Sequence, residues 1–273
     1  MAPKPQEEEE VRRSPLAALF WGAPIGLLGG LIGLGGAEFR LPVLAGVFCY
    51  PARRAVALNL AISLITVVSA LLIRGGTLSL APLLGLLPVV VAMILGAVSA
   101  AYVGTALVHR VSERLLERVI LVFLVVIGTA LIVEAYLPQD VPGLLPDALP
   151  VRVIAAVLFG LCIGLVSSLL GVAGGELIIP TLVFAFGVGI KPAGTASLLI
   201  SLPTVAVGVL RHGRLGSFAE RADLAQTVAP MGLGSVVGAV VGGFLVGLVP
   251  AAGLKFVLGL ILIVSAVRIF RGS

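Results

Sequence analysis

Gly22 to Pro42 reads GAPIGLLGGLIGLGGAEFRLP, and Gly160 to Pro180 reads GLCIGLVSSLLGVAGGELIIP. Each landmark of the first stretch returns 138 residues later: Gly22 as Gly160, Gly26 as Gly164, Gly33 as Gly171, Gly36 as Gly174, Glu38 as Glu176 and Pro42 as Pro180. An echo at fixed spacing marks a duplicated unit and takes precedence over any local reading. The echo continues beyond these stretches. Gly96-xxx-Ala100-xxx-Gly104 and Met93 match Gly234-xxx-Gly238-xxx-Gly242 and Met231 at the same offset. Small residues every fourth position let helix backbones approach closely in lipid, where packing drives association.

Composition sets the class. Of 273 residues, 59% are hydrophobic and only 11% are charged, against about 25% charged in a soluble domain. Apolar runs near ~20 residues recur along the chain, which is the transmembrane signature. The sequence therefore predicts an all-α, polytopic integral membrane protein with about eight transmembrane helices in two homologous four-span halves, their helices broken at the glycines. Residues 1–14 are polar, with an acidic run that does not resemble a cleaved secretory signal. Residues 15–136 form the first repeat and 151–273 the second; 137–150, rich in proline, is the linker. Spans are expected near 16–36, 54–73, 79–103, 115–136, from 151, 193–210, 224–248 and 251–270. The piece VLAGVFC after Pro42 is too short to cross alone and reads as a broken-helix continuation or a re-entrant segment.

Four crossings per half would set the repeats parallel, and an odd number would invert them. A simple eight-span chain divides Lys and Arg ten to eight between the two sides, with Arg40 counted as a loop cation. The positive-inside rule leaves orientation open on such a margin. The net charge of +5 is explained by arginines between hydrophobic spans rather than by nucleic acid. Cys49 and Cys162 are not repeated and read as small buried hydrophobes.

Several residues are candidates for chemistry. Glu38 and Glu176 would each cost about 2.5–3.5 kcal/mol at the centre of a membrane helix on insertion scales. They are coupling candidates for a proton or cation, with two structural alternatives: acceptors for backbone amides freed at the helix break, or residues at interfacial depth. Gly33, Gly35 and Gly36, with Gly171, Gly174 and Gly175, permit a helix break and close backbone approach. A helix restarting after such a break aims free amides at an anion; tight packing is the alternative. Pro42 and Pro180 close the breaks. Asn59, Ser63 and Thr66 share one helix face, as do Ser197, Ser201 and Thr204 at the same offset. These stripes either line a hydrophilic path or join helices by hydrogen bonds. Arg53 pairs with Lys191 across the repeat and Arg74 with His212; all four are expected at span ends, snorkelling or steering anions inward. His109 and His212 have no partner at metal-ligand spacing. Nucleotide, nucleophile-elbow and His-Glu metal motifs are absent, so no cofactor and no metal is expected.

The chain resembles the sulfite exporter TauE/SafE family of membrane permeases. The likeness rests on the two glycine motifs ending in Pro42 and Pro180, on Ala55-Val-Ala-Leu-Asn59, on KPAGTASLLIS in the second half and on the duplicated architecture. It runs from about Leu16 to Arg271. The resemblance implies export of a small sulfur-containing anion, sulfite or an organosulfonate, across the cytoplasmic membrane of a bacterium. It carries over Gly33, Gly36, Pro42 and Asn59 with Gly171, Gly174, Pro180 and Ser197. The expected mechanism is alternating access between the repeats, the partners being the anion, the bilayer and a coupling proton or cation. A passive anion channel is the nearest rival; an intramembrane enzyme and an assembly factor lack the nucleophile pair or docking domain they require.

Overall fold

A computed structural model describes residues 14–32, 36–77, 84–134, 136, 143–245 and 251–270. Among them there are helices and no strand. Helix α1 is Pro15–Ile32. After a break, α2 (Ala37–Pro42) continues as a π-helical turn, Val43–Val47. Then come α3 (Ala52–Thr77), α4 (Leu87–Arg110) and α5 (Glu113–Glu134). The same series follows: α6 (Leu149–Leu170), a break, α7 (Gly175–Pro180) with the π turn Thr181–Ala185, and α8 (Ile190–Arg214). Helix α9 is assembled from Arg221–Asp223, a π turn Leu224–Val228 and Ala229–Leu245, and α10 is Ala251–Phe270.

Among the described residues five helices are long and apolar enough to cross a membrane, and Pro15–Gly30 and Gly175–Ala185 are shorter apolar helices. The expectation of a third span at 79–103 is corrected: α4 begins at Leu87 and runs to Arg110. Pro88 explains the shift, because proline suits a first helical turn, where its missing N–H is not needed. Pro42 and Pro180 each end a regular turn, and the helix widens to π directly afterwards. A proline cannot donate to the preceding turn, and widening is one way to absorb the loss.

Helix pairs are set by glycine. A Cβ on Gly22 or Gly26 would strike the backbone of Met231 or Ser235, so α1 lies directly on α9. A Cβ on Gly160 or Gly164 would strike Met93 or Ala97, so α6 lies on α4 in the same manner. Both pairs run parallel, since contacts advance together along the two chains. Each joins the first helix of one half to the third full-length helix of the other. Helices α5 and α10 cross where Gly128 meets Gly259 and Ile263 while Gly259 meets Ile132, an antiparallel pairing.

Two ends of the molecule are distinguishable. At one, Arg53 of α3 donates to the carbonyl of Val108 (3.2 Å) in the last turn of α4 and to that of Val111 (2.7 Å) just beyond it. Arg54 pairs with Glu220 and Asp223 at the start of α9. Tyr50 Oη donates to Asp223 at 3.0 Å. At the other end, Leu86, Gly143, Arg152, Gly187 and Pro192 surround a cavity of about 490 Å³. There Leu144 and Leu145 donate to the carbonyls of Phe184 and Ala185, 2.9 Å each. The described part of the linker is thus pinned to the end of the second half-helix.

These contacts fix direction. Segment α1–α2 leaves the arginine-rich end and returns to it, and α6–α7 leaves the opposite end and returns to that. The piece after Pro42 continues the broken helix as the π turn Val43–Val47 and leads back to the arginine-rich end at Tyr50. The two cysteines are exposed rather than buried, which corrects that expectation.

Candidate functional site

The two half-helices begin in the same way. Gly36 (φ 69°) and Gly174 (φ 81°) are left-handed residues placed directly before α2 and α7. A carboxylate follows in each first turn, Glu38 and Glu176, where the positive end of the helix dipole favours negative charge. Gly171 (φ 66°) ends α6, and a Cβ there would strike the carbonyl of Val56 in α3. Only glycine fits both constraints. Gly175 opens α7. Gly33 and Gly35 lie outside the described residues.

The half-helices approach from opposite ends, and their first turns meet in the interior. Glu38 is fully buried and Glu176 is 7% exposed. Their carboxyls are near enough to interact, with Arg40 within electrostatic range of both. None of the four carboxylate oxygens has a hydrogen-bond partner among the described residues. Both carboxyls are thus enclosed by protein, while residues 33–35 of the first break lie outside the described residues.

Arg40, expected in a loop, is instead wholly buried. Its Nε donates to Asn59 Oδ1 at 3.1 Å and its Nη2 to Ser63 Oγ at 2.9 Å. Asn59 Nδ2 donates to the carbonyl of Ala37 at 2.9 Å, which fixes the amide with its oxygen toward the guanidinium. Arg40 Nη1 has no partner among the described residues. The first polar stripe therefore holds an arginine in place. Thr66 and Thr204 turn their hydroxyls to their own helices, donating to Ser63 O (3.0 Å) and Ile200 O (2.8 Å). Ser197 and Ser201 are buried on the matching face of α8.

The copies differ at two linked positions. Ile178 stands where the first half has Arg40, and Ser197 stands where it has Asn59. The arginine and its amide clamp are lost together. That joint departure from the repeat is the signal in the sequence that singles out Arg40.

At the arginine-rich end, His212 is fully buried rather than snorkelling, a second correction. Burial follows from the loop Leu215–Glu220 closing over it. Ser217 Oγ lies 3.0 Å from His212 Nδ1 and 3.2 Å from His109 Nε2, joining α4 to α8. Arg211 stacks over the Tyr102 ring at 3.7 Å. Arg53 lies at the start of α3, as expected for a span end, and engages two carbonyls and Glu113. The side chains of Arg74 and Lys191 lie outside the described residues. No group of three or more His, Cys, Asp or Glu suited to a metal occurs among the described residues.

A family model described as sulfite exporter TauE/SafE matches residues 1–131 and 156–273. The chain belongs to the sulfite exporter TauE/SafE family. It is a membrane transport protein of a family associated with sulfur anions. No curated protein and no solved structure matches the chain.

Proposed function

We propose that this TauE/SafE protein is a permease, not an enzyme, that moves a small sulfur-containing oxyanion by alternating access between two inverted halves. The halves are α1–α5 and α6–α10. The observation that carries this reading is the buried meeting point of two half-helices, where Glu38, Glu176 and Arg40 stand without a countercharge in bonding contact. Discontinuous helices whose N-termini converge at mid-membrane are how repeat-built transporters hold ions. The substrate site comprises that centre with Gly36, Asn59, Ser63, Gly171, Gly174, Gly175, Ser197 and Ser201. Gly33 and Gly35 belong to it by repeat, and Thr66 and Thr204 support it from behind. Pro42 and Pro180 set the ends of the half-helices, and Glu38 and Glu176 are the coupling groups.

The opposite courses of α1–α2 and α6–α7 support the inverted arrangement. Re-entry adds a return pass to each half, so the number of traverses becomes odd. The charge bias then changes. Arg53, Arg54, Arg110, Arg114, Arg118, Arg211, Arg214 and Arg221 gather at one end, leaving Arg152 at the other among described side chains. By the positive-inside rule the arginine-rich end faces the cytoplasm. In a background with Cys49 and Cys162 replaced by serine, an impermeant maleimide should label Ser112→Cys only from the cytoplasmic side. It should label Asp147→Cys only from outside. Labelling of both from one side would break the inverted arrangement.

Uptake of radiolabelled sulfite, sulfoacetate, isethionate and taurine into proteoliposomes tests the transport reading. Saturable flux of at least one anion is expected. A linear, unsaturable flux would indicate a channel, and complete inactivity toward the panel would remove the proposed substrate class. Export is the proposed physiological direction, following the family's description.

A further inference from the structure

We infer that Arg40 is the anion-binding residue of the central site, and that each monovalent oxyanion crosses together with one proton carried by the Glu38–Glu176 pair. This rests on the permease reading and adds to it a residue, a ligand charge and a stoichiometry.

Arg40 has no countercharge in bonding contact among the described residues. It is fully buried and bonds only to neutral groups, Asn59 and Ser63, which leave Nη1 unoccupied. A buried charge is held where pairing and hydrogen bonds offset its desolvation. Neither glutamate forms an ion pair with it. The guanidinium is held through Nε and Nη2 by its neighbours, and Nη1 is left without a partner among the described residues. A planar fork of N–H donors suits a sulfonate or sulfite oxygen pair. The second copy supplies Ile178 in place of an arginine. One cation without a twin matches one negative charge.

The proton count follows from the charges that share the site. Helix α1 carries no titratable residue, and α6 carries only Arg152 at its far end and the exposed Cys162. Helices α3 and α8 present the neutral stripes Asn59, Ser63, Ser197 and Ser201, and α10 contributes the apolar Leu262 and Ala266 to the same core. The balance therefore lies among Arg40, Glu38 and Glu176. With no anion, one carboxylate offsets Arg40 and the other carboxyl carries a proton, which leaves the enclosed site neutral, as burial of charge requires. When a monoanion offsets Arg40, the second carboxylate takes a proton as well, and both O–H groups can donate to the ligand. Occupied and empty sites are then both neutral, differing by one anion and one proton. Transport is electroneutral. Its direction follows the anion and pH gradients, so an anion accumulated in the cytoplasm leaves with a proton.

The test uses the purified full chain in proteoliposomes containing pyranine, with isethionate and methanesulfonate as monovalent probes. An acid-outside gradient should drive concentrative uptake with the potential clamped at zero by valinomycin and potassium. A potential imposed without a pH gradient should drive none. Pyranine should report one proton per anion. Potential-driven uptake, or a proton ratio of zero, would overturn the inference while leaving a working permease. No flux of any anion in the wider panel would overturn the permease reading and this inference together.

Variants separate the parts. Arg40→Gln should lower flux ~100-fold, the scale for removing one partner of a buried charged contact. Arg40→Lys keeps the charge and should retain flux with KM raised roughly tenfold, since a point charge replaces a fork. Arg40→Lys also covers the case in which Arg40→Gln does not fold, and unchanged KM in it would overturn the assignment. Glu38→Gln or Glu176→Gln alone keeps one titrating carboxyl and should keep one proton per anion. The double variant leaves a permanently charged Arg40 and should turn transport electrogenic, driven by potential and indifferent to pH. Persistent electroneutral flux in the double variant would overturn the proton assignment.

Discussion

The half-helix Ala37–Val47 and the half-helix Gly175–Ala185 share almost everything a backbone can share. Each starts after a left-handed glycine, carries a glutamate in its first turn, reaches a proline at its sixth residue and widens into a π turn. They differ in charge, because the first holds Arg40 and the second holds Ile178. Two jobs are thereby separated. On the proposed inverted arrangement, backbone geometry is duplicated because it builds one re-entrant frame from each side of the membrane. On that proposal ligand chemistry needs supplying only once, since both frames share the central site.

The largest effect should come from moving that chemistry across the pseudo-symmetry. Arg40→Ile should depress anion flux ~100-fold by leaving the bound anion without its cation. Adding Ile178→Arg and Ser197→Asn transplants the arginine and its amide clamp to the other half. Because the two frames meet at the same point, the triple variant should recover at least ~10% of wild-type flux, or about one tenfold step of the loss. Recovery without Ser197→Asn would show that the clamp is dispensable. No recovery with the full set would show that the halves differ in more than charge.

Much of the frame is readable in the sequence because duplication repeats local rules. The offset of the glycines locates both breaks, since a left-handed residue with no room for a Cβ must be glycine wherever the break recurs. The stripes Asn59–Ser63–Thr66 and Ser197–Ser201–Thr204 follow from helical spacing and are buried as that spacing implies. What escapes depends on residues distant in sequence. Arg40 sits beside a short apolar piece, and a lone arginine there reads as a loop cation. Its burial requires Asn59 and Ser63 from another helix. His212 is misplaced for the same reason, its cover being the loop that carries Ser217. Direction is also hidden, since hydropathy does not distinguish a chain that turns back at a glycine break from one that continues through it.

A middle-sized effect should distinguish the two breaks. Gly36→Ala and Gly174→Ala both force alanine into the left-handed region, which costs about 1–2 kcal/mol per residue. Their surroundings differ. The added methyl at Gly36 lies 2.9 Å from the carbonyl oxygen of Ile25, whereas at Gly174 it lies 3.1 Å from the side-chain Cγ2 of Ile163. A side chain can yield where a helix carbonyl cannot, and overpacking adds about 1–3 kcal/mol. Gly36→Ala should therefore lower the melting temperature in detergent clearly more than Gly174→Ala. Equal shifts would mean that the α1–α2 contact is no tighter than its counterpart.

The smallest effect lies at the turn after each half-helix. Cys49 (φ 55°) holds a left-handed conformation, and its counterpart at the repeat offset is Gly187 (φ 66°). The first half thus tolerates at Cys49 a strain that the second avoids by composition. Cys49→Gly removes the clash between Cβ and the following carbonyl, worth about 1–2 kcal/mol, but increases the freedom of the unfolded chain by about 0.5–1 kcal/mol. The net should be a small stabilisation, under ~1 kcal/mol from the difference of those two terms. Gly187→Ala should destabilise by a larger amount, because its methyl would also lie 3.0 Å from the backbone nitrogen of Gly143. Thermal melts of the two variants in one detergent give the comparison directly, because both substitutions lie outside the central site and should leave anion flux unchanged. Opposite signs, the loss at Gly187 being the larger, would show that the two turns are one backbone solution carrying different residues. A destabilised Cys49→Gly would instead show that the cysteine side chain contributes contacts that outweigh its strain.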